Sequence, residues 1–437
     1  MRRAKAGTLT LHPPCRDRIT GSRASPLAPV PGDPAVSASA TLSIASRPET
    51  ATGGACPAPH RILHVFRAPV GGLFRHVVDL ARLQAAAGHE VGIVCDARTG
   101  GERAAQALAE LAPSLSLGVV RVPMQRNPHH SDLAALRTLA ERARDTGATV
   151  LHGHGAKGGV YARTARVTGA APIRAYTPHG GSYNYKPGTL RHRFYMGVER
   201  LLALRTDVFL FESEYVAGRH RAHAGRPRLA RIVHNGICEA EFLPVPPTAD
   251  AYDLLYIGEL RDAKGVPFLL EALANLRRKG RSLRLLMVGS GPDADLLAAR
   301  VRAMGLGHAV AFEPPQPIRA VLARGRIMVV PSLAESLPYV VLEAAAAQHP
   351  LVATNVGGIP EIFGTAAARL VPPRDAGALE DAIARVIDEA PDVRAAWFAD
   401  LGASVQARFS MKRMGADVLS GYAAAFRARA DARSVAG

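Results

Sequence analysis

Aromatic residues and cysteines are scarce in this chain, and long apolar runs are missing. Aromatic side chains make up 5% of the 437 residues, and the four cysteines, Cys15, Cys56, Cys95 and Cys238, are scattered. Their spacing predicts neither a disulfide framework nor a zinc site, so we expect no bound metal. Because no run of about 18 apolar residues occurs, we expect no helix that spans a membrane.

Acidic residues are outnumbered, and the excess positive charge is unevenly distributed. The net charge is +17, of which residues 59–247 carry +11, residues 1–58 carry +4 and residues 248–437 carry +2. A basic surface on the middle segment attracts an acidic partner, such as anionic lipid, nucleic acid or a phosphorylated acceptor. Nucleic acid is disfavoured because basic and aromatic residues are not interleaved as in stacking platforms. The first five residues are basic without a following apolar segment, so we expect no signal peptide and a cytoplasmic location.

The chain divides into a biased leading segment and a regular remainder. Residues 1–58 are rich in Pro, Ala, Ser, Thr and Gly, which predicts a disordered, low-complexity tail. From residue 61, short apolar runs alternate with stretches of helical periodicity, which indicates parallel sheets covered on both faces. The runs expected to be strands in the first half are Arg61–Phe66, Glu90–Cys95, Val119–Pro123, Thr149–His152, Ile173–Thr177, Val208–Glu212 and Arg231–His234.

A proline-rich break separates two units of similar build. Three of the four residues at 244–247 are proline, which can continue neither a helix nor a central strand. We therefore expect two α/β domains, residues 59–240 and 251–410, joined by a linker at 241–250 and facing each other across a cleft. The strands expected in the second domain are Asp253–Leu260, Leu283–Val288, Val310–Phe312, Ile327–Pro331, Leu351–Thr354 and Arg369–Val371.

The sharpest candidate for chemistry is Pro331-Ser-Leu-Ala-Glu335-Ser-Leu-Pro338-Tyr-Val-Val-Leu-Glu343. A strand ends near Ser332, and a helix is expected to begin near Leu337 and to contain Glu343. Free N–H groups at a helix start suit a diphosphate. Glu335 is then a candidate to bind sugar hydroxyls or to stabilise positive charge at an anomeric carbon, and Glu343 to bind ribose. The alternative is an ordinary helix N-terminus with an acidic first turn.

Basic side chains follow another strand end, in Gly258-Glu-Leu-Arg261-Asp-Ala-Lys264-Gly265. Arg261 and Lys264 are candidates to neutralise a diphosphate leaving group. A solvated turn is the alternative.

Four weaker candidates also follow strands. They are Gly72 in a glycine pair, Gly289-Ser290-Gly291, His179 in Thr-Pro-His-Gly, and the turn Gly357-Gly358-Ile-Pro360-Glu361. Glycines let a ligand approach the backbone, and His179 is a candidate to contact the transferred sugar. Tight packing turns and a structural histidine are the alternatives.

Together these motifs resemble the GT-B glycosyltransferases, specifically the retaining glycosyltransferase family four (glycosyl transferases group one). The most specific part is the spacing of Glu335 and Glu343 followed by Gly357-Gly358-Ile-Pro-Glu361. Ser213-Glu214, His234-Asn235-Gly236 and Lys264-Gly265 occur in the family's order. The similarity covers roughly residues 60–410.

The resemblance implies a GT-B fold and a nucleotide diphosphate sugar as donor. Glu343 would bind ribose, and Gly289, Ser290 and Gly291 would lie near the nucleotide. Lys264 would contact the diphosphate, helped by Gly72 and the amides near Leu337, while Glu335 and His179 would address the sugar. The N-terminal domain would bind a saccharide or lipid-linked saccharide acceptor, as in cell-surface polysaccharide synthesis. The resemblance also implies retention, without a metal or other cofactor. We expect residues 411–437 to form a helix that packs back towards the N-terminal domain.

One position departs from the family's usual Gly-Arg-Leu. Here Glu259 stands between Gly258 and Leu260, and a carboxylate cannot neutralise a diphosphate. Arg261 is the candidate to replace the missing charge, and its role is left open.

The segment from Lys186 to Arg205 combines apolar residues near helical spacing with Arg and His. This pattern is typical of a basic amphipathic helix on an anionic bilayer, which would place the protein on the inner face of the cytoplasmic membrane. An ordinary surface helix is the alternative.

Other functions stay open at this stage. A GT-B phosphorylase or epimerase would share the fold, and the basic segment is also compatible with a non-catalytic binding protein.

Overall fold

The structure is a computed structural model that describes residues 59–436. The predicted tail at residues 1–58 lies outside these residues. The described part forms two parallel sheets, each covered by helices on both faces, which confirms the predicted fold class.

The first sheet has seven strands in the order β3-β2-β1-β4-β5-β6-β7, all parallel. Its strands are β1 (Arg61–Phe66), β2 (Glu90–Asp96), β3 (Val119–Val122), β4 (Val150–His154), β5 (Ile173–Thr177), β6 (Val208–Phe211) and β7 (Ala230–Ile232). Its helices are α1 (Gly71–Ala86), α2 (Gly101–Leu111), α3 (Ser131–Asp145), α4 (Gly155–Thr164), α5 (Leu190–Ala203) and α6 (Glu214–His223). The interior strands are almost entirely buried, as expected for a sheet covered on both faces.

The second sheet has five strands in the order β10-β9-β8-β11-β12, again all parallel. Its strands are β8 (Tyr252–Ile257), β9 (Leu285–Val288), β10 (Val310–Glu313), β11 (Gly325–Val330) and β12 (Leu351–Ala353). The helices of this lobe are α7 (Val266–Arg278), α8 (Ala294–Ala303), α9 (Ile318–Leu322), α10 (Tyr339–Ala346), α11 (Ile359–Phe363), α12 (Ala376–Asp388) and α13 (Pro391–Arg408).

Two details of the second lobe differ from the sequence prediction. The strand expected at Arg369–Val371 is wrong: a 3-10 helix runs through Arg369, and Val371 makes a single bridge to Thr354. The helix expected to begin near Leu337 begins at Tyr339, because Pro338 keeps an extended conformation in the capping position.

The last helix, α14 (Met411–Ala436), returns to the first lobe. Met414, Val418 and Tyr422 are buried in the same apolar cluster as strand residues of the first sheet. The hydroxyl of Tyr422 lies 2.8 Å from Nδ1 of His152 on β4. Burial of this apolar face therefore ties the chain's last helix to its first sheet. Within residues 59–436, every helix is too short or too polar to cross a bilayer.

Candidate active site

A lysine and a glutamate meet at the carboxyl edge of the second sheet. Strands β8 and β11 are neighbours, so the loops that follow them run side by side. Nζ of Lys264 lies 2.5 Å from Oε1 of Glu335, and Oγ of Ser332 donates to the same oxygen at 2.7 Å. Glu335 is 8% exposed. A charge-assisted pair in such a shielded place holds both groups in a defined position.

Backbone contacts fix the two loops on either side of this pair. The amide of Leu333 donates to the carbonyl of Ala263 at 2.9 Å. Gly265 has a φ of 65°, and a Cβ there would collide with the carbonyl of Pro331. Only glycine fits both the left-handed conformation and the close approach. The Lys264-Gly265 turn is therefore built to place the lysine beside Glu335.

Glu335 also lies against the glycine turn of the family motif. Gly357 has a φ of 59°, and a Cβ there would collide with the backbone carbonyl of Glu335. The amide of Gly358 donates to the carbonyl of Ser336 at 2.8 Å. This turn therefore packs against the loop that carries Glu335. Glu361, at the motif's end, accepts hydrogen bonds from the amides of Glu214 and Tyr215 at 2.8 Å each, and so caps α6 of the other lobe.

The remaining candidates near the nucleotide serve visible packing roles. Arg261 is half-exposed and pairs with Glu259, with Nη1 3.3 Å from Oε2. A Cβ at Gly289 or Gly291 would collide with the backbone of the loop after β8. The amide of Leu260 donates to the carbonyl of Ser290 at 3.0 Å. These glycines join the loops after β8 and β9, and their place beside a nucleotide stays a prediction.

Glu343 lies on α10 and is held by the first lobe. Its Oε1 pairs with Nη1 of Arg75 on α1, whose Nη2 also lies 2.6 Å from Oε2 of Glu241. The guanidinium sits 4.6 Å above the ring of Tyr339. Burial raises the pKa of Glu343 to about 7, although the positive charge of Arg75 opposes the rise. Sequence reasoning missed Arg75, because nothing local to α1 signals a partner 268 residues away.

The first turn of α1 lies close to the first residue of α10, which belongs to the other lobe. Gly72 is in the first turn of α1, and a Cβ placed on it would lie 3.1 Å from Cδ2 of Tyr339, the first residue of α10. Each N-terminus offers unpaired amides and a positive dipole end. A diphosphate between them would meet favourable charge from both sides.

The turn after β5 places His179 beside the loop that contains Glu335. A Cβ on Gly180 would lie 3.0 Å from Cβ of Ser336, the residue after Glu335. His179 itself has a φ of 52°, which is rare outside glycine and marks a strained position held by its surroundings. Burial lowers its pKa well below the ordinary value, so the imidazole is neutral at pH 7.

Behind His179 lies a buried group of further histidines that the sequence analysis did not single out. Nε2 of His179 is 3.1 Å from Nδ1 of His154 at the end of β4, and Nε2 of His154 is 2.9 Å from Nδ1 of His64 on β1. His76 on α1 lies beside them, and the centroids of the His76 and His179 rings are 4.8 Å apart. The His152-Gly-His154 alternation at a strand's end was the available signal, because both side chains point to one face.

Asn235 links this group to the loop that precedes α10. Its Nδ2 donates to the carbonyl of Leu337 at 2.8 Å, and its Oδ1 lies 3.1 Å from Nδ1 of His76. The amides near Leu337 were candidates to bind the diphosphate. Leu337 is buried at this contact between the two lobes.

Comparison with known proteins shows which families the chain resembles. A family described as glycosyl transferases group 1 matches residues 251–389, and glycosyltransferase family 4 matches residues 70–241. The alpha-D-kanosaminyltransferase of Streptomyces kanamyceticus is 32% identical over 38% of this chain, which spans 44% of that relative. A glycogen synthase of Mycobacterium tuberculosis is 28% identical over 73% of this chain and 83% of its own length.

A solved structure of Anabaena HepE, in complex with UDP-glucose, superposes with a TM-score of 0.68 at 18% identity. It covers 83% of this chain and all of the HepE chain. At this identity the likeness shows the fold alone. The two family matches, one in each lobe, provide sequence evidence for the family. The chain belongs to the group 1 glycosyltransferases and has their GT-B fold.

Proposed function

We propose that the protein transfers a sugar, with retention, from a nucleotide diphosphate sugar to a saccharide or lipid-linked saccharide acceptor in polysaccharide or glycolipid synthesis. The observation that carries the proposal is the Lys264–Glu335 pair, 2.5 Å from nitrogen to oxygen, near the adjacent starts of α1 and α10. An anion site and a carboxylate side by side suit a sugar attached to a diphosphate.

Each group has a role in this reaction. The amides of the two helix starts and Lys264 neutralise the diphosphate as it leaves, so the transfer needs no metal ion. Glu335 and His179 bind the donor sugar, and Glu343 accepts hydrogen bonds from the ribose hydroxyls. UDP-glucose in the HepE structure favours a uridine nucleotide.

The bond changes follow from retention without a covalent intermediate. The acceptor hydroxyl attacks the anomeric carbon on the face from which the diphosphate departs. The bond from that carbon to the diphosphate oxygen breaks as the new glycosidic bond forms. The hydroxyl proton passes to the departing phosphate oxygen, so no protein base is consumed.

The acceptor side is supported by an exposed apolar stripe on α5. Leu190, Phe194, Leu201 and Leu204 are 83%, 61%, 67% and 68% exposed. At 3.6 residues per turn these positions fall on one face of the helix. Arg191, Arg193, Arg200 and Arg205 flank the stripe. In this proposal the stripe enters an anionic membrane surface, where a lipid-linked acceptor would be found.

A donor assay tests the function. Purified protein is incubated with UDP-, GDP- and ADP-sugars, and release of the nucleoside diphosphate is measured with and without saccharide acceptors. Glu335→Gln should lose at least about 100-fold in turnover while binding the diphosphate with unchanged affinity. Glu271→Gln, an exposed carboxylate on α7, is the control and should retain full activity.

Other outcomes identify the alternatives. Conversion of the donor sugar without any acceptor would indicate an epimerase, and dependence on inorganic phosphate would indicate a phosphorylase. Diphosphate binding without turnover of any donor would indicate a non-catalytic binding protein. Full turnover in Glu335→Gln would contradict the proposed site.

A further inference from the structure

Three histidines behind the cleft have the arrangement of a metal site. Ring centroids are 4.8 Å apart for His76 and His179, 5.4 Å for His154 and His179, and 5.7 Å for His76 and His154. Three imidazoles around a tetrahedral Zn²⁺, with Zn–N bonds of about 2.05 Å, have centroids about 5.3 Å apart. Candidate ligand atoms of the three side chains all lie within 4.8 Å of one another.

One of these histidines carries a buried nitrogen for which the described residues provide no partner. Nε2 of His76 is fully buried and makes no hydrogen bond to residues 59–434. Such an atom costs free energy unless something binds it. Asn235 donates its amide hydrogen to Leu337, so its Oδ1 accepts from Nδ1 of His76. The other nitrogen, Nε2, is then unprotonated and presents a lone pair.

The same reasoning fixes the protons of His154. Oε1 of Gln84 accepts from Nε2 of His64 at 2.7 Å, which leaves Nδ1 of His64 to accept from Nε2 of His154. Nδ1 of His154 is therefore a lone pair facing His179. Ligating histidines in metal sites are oriented by outer partners in this manner.

We propose that His76, His154 and His179 bind one divalent transition-metal ion, with Zn²⁺ the best match to three imidazole ligands. Nε2 of His179 lies 3.1 Å from Nδ1 of His154, close to the roughly 3.3 Å between two nitrogens on one tetrahedral Zn²⁺. On binding, the proton of His179 moves from Nε2 to Nδ1, and no net charge is lost from the protein. His179 is half-buried whereas His76 and His154 are buried, so in this proposal the fourth position opens on the side of His179.

The neighbouring set of His64, His152 and His154 fits a metal less well. The rings of His152 and His154 are 3.9 Å apart, which is too close for two ligands of one ion. Both nitrogens of His152 are already paired, with Tyr422 at 2.8 Å and Thr177 at 2.9 Å. A metal there would have to break these hydrogen bonds.

Occupancy of the site has a consequence for the reaction. The ion takes the imidazole of His179 away from the donor sugar, so the metal acts as an inhibitor. This consequence rests on the proposed function, whereas binding of the ion does not.

Metal content measures the site directly. Untagged full-length protein is dialysed against buffered Zn²⁺, and Co²⁺ is used to record the visible absorption of a tetrahedral complex. We expect one ion per chain. His76→Gln should weaken binding at least 100-fold, and Asn235→Ala about 10- to 100-fold. His130→Gln, an exposed histidine, is the control and should bind as the wild type does.

Two variants keep the proposal open to refutation. If His76→Gln does not fold, as judged by Tm in EDTA, His179→Asn replaces it, because asparagine tolerates the positive φ. His152→Gln should still bind one ion. The proposal would be overturned if the wild type bound no ion, or if binding were unchanged after His76 or His179 is replaced. Loss of the ion in His152→Gln alone would also overturn it. Since dialysis needs no turnover, its result stands even if the donor assay fails.

Discussion

Nζ of Lys264 donates to Oε1 of Glu335 across 2.5 Å, between loops that follow two neighbouring parallel strands. In the proposed reaction, the lysine would position the carboxylate and supply positive charge to the departing diphosphate. We expect Lys264→Ala to lower kcat/KM about 10²- to 10³-fold. Steady-state kinetics with the preferred donor measure this. Lys279→Ala removes an exposed lysine that pairs with Glu380, and it should change kcat/KM less than about twofold.

Arg75 is the cation shared by Glu343, Glu241 and Asp79. Its removal leaves these partly buried carboxylates without their counter-charge. We expect Arg75→Ala to destabilise the protein by about 3 kcal/mol or more, seen as a fall in Tm of at least about 5 °C. Arg413→Ala breaks an exposed pair with Asp417 and should leave Tm within about 1 °C. An equal Tm in both variants would show that the Arg75 contacts contribute nothing.

The raised pKa of Glu343, about 7, predicts a pH dependence of stability. The folded state holds this proton more tightly than the unfolded chain, whose carboxyl has its ordinary pKa near 4.5. The stabilisation is therefore complete below about pH 4.5, and it is lost as pH rises towards 7. The Tm of wild type minus that of Glu343→Gln should fall between pH 5 and pH 8. A difference that rises over this range would contradict the assigned pKa.

Gly357 meets the backbone of Glu335 at a positive φ, so any side chain there must displace the loop that carries Glu335. We expect Gly357→Ala to reduce kcat at least about 10-fold, because small displacements of a reacting group are costly. Gly307 has open space around its Cα. Gly307→Ala is the matched control, and its kcat should equal that of the wild type.

The exposed stripe on α5 predicts binding to anionic vesicles. Flotation with liposomes that contain phosphatidylglycerol should carry the protein upward in low salt. Replacing Arg191, Arg193 and Arg200 by Glu should abolish flotation, and so should Phe194→Glu with Leu201→Glu. The control triple of Arg278, Arg300 and Arg302 to Glu makes the same change in charge on the second lobe and should still float. Absence of flotation by the wild type in low salt would sink the membrane proposal.

Local patterns were sufficient to predict the strands of both sheets. Strands β1 and β5 have the predicted bounds, Arg61–Phe66 and Ile173–Thr177, because apolar runs flanked by polar residues mark buried parallel strands. Where the pattern was short, at Arg369–Val371, a single bridge replaced the strand. Boundaries of this kind depend on which neighbour is available for pairing, and a local run of residues does not contain that information.

Only those parts of the site that consist of short sequence motifs could be predicted. Lys264 and Glu335 could be brought together because each follows a strand, and parallel strands end at one edge. The sequence could not predict that Arg75 pairs with Glu343, or that His76 lies beside His154. Each joins residues from different elements, and the alignment of α1 against the second lobe is a product of tertiary packing.

The return of α14 to the first sheet has a consequence for the order of folding. Strands β1 to β7 leave the ribosome first, yet part of their apolar surface packs against Met414, Val418 and Tyr422 of α14. The lobe that is synthesised first is thus completed last. During translation its unfinished face waits for about 180 further residues, a span in which nascent-chain chaperones have their opportunity to bind.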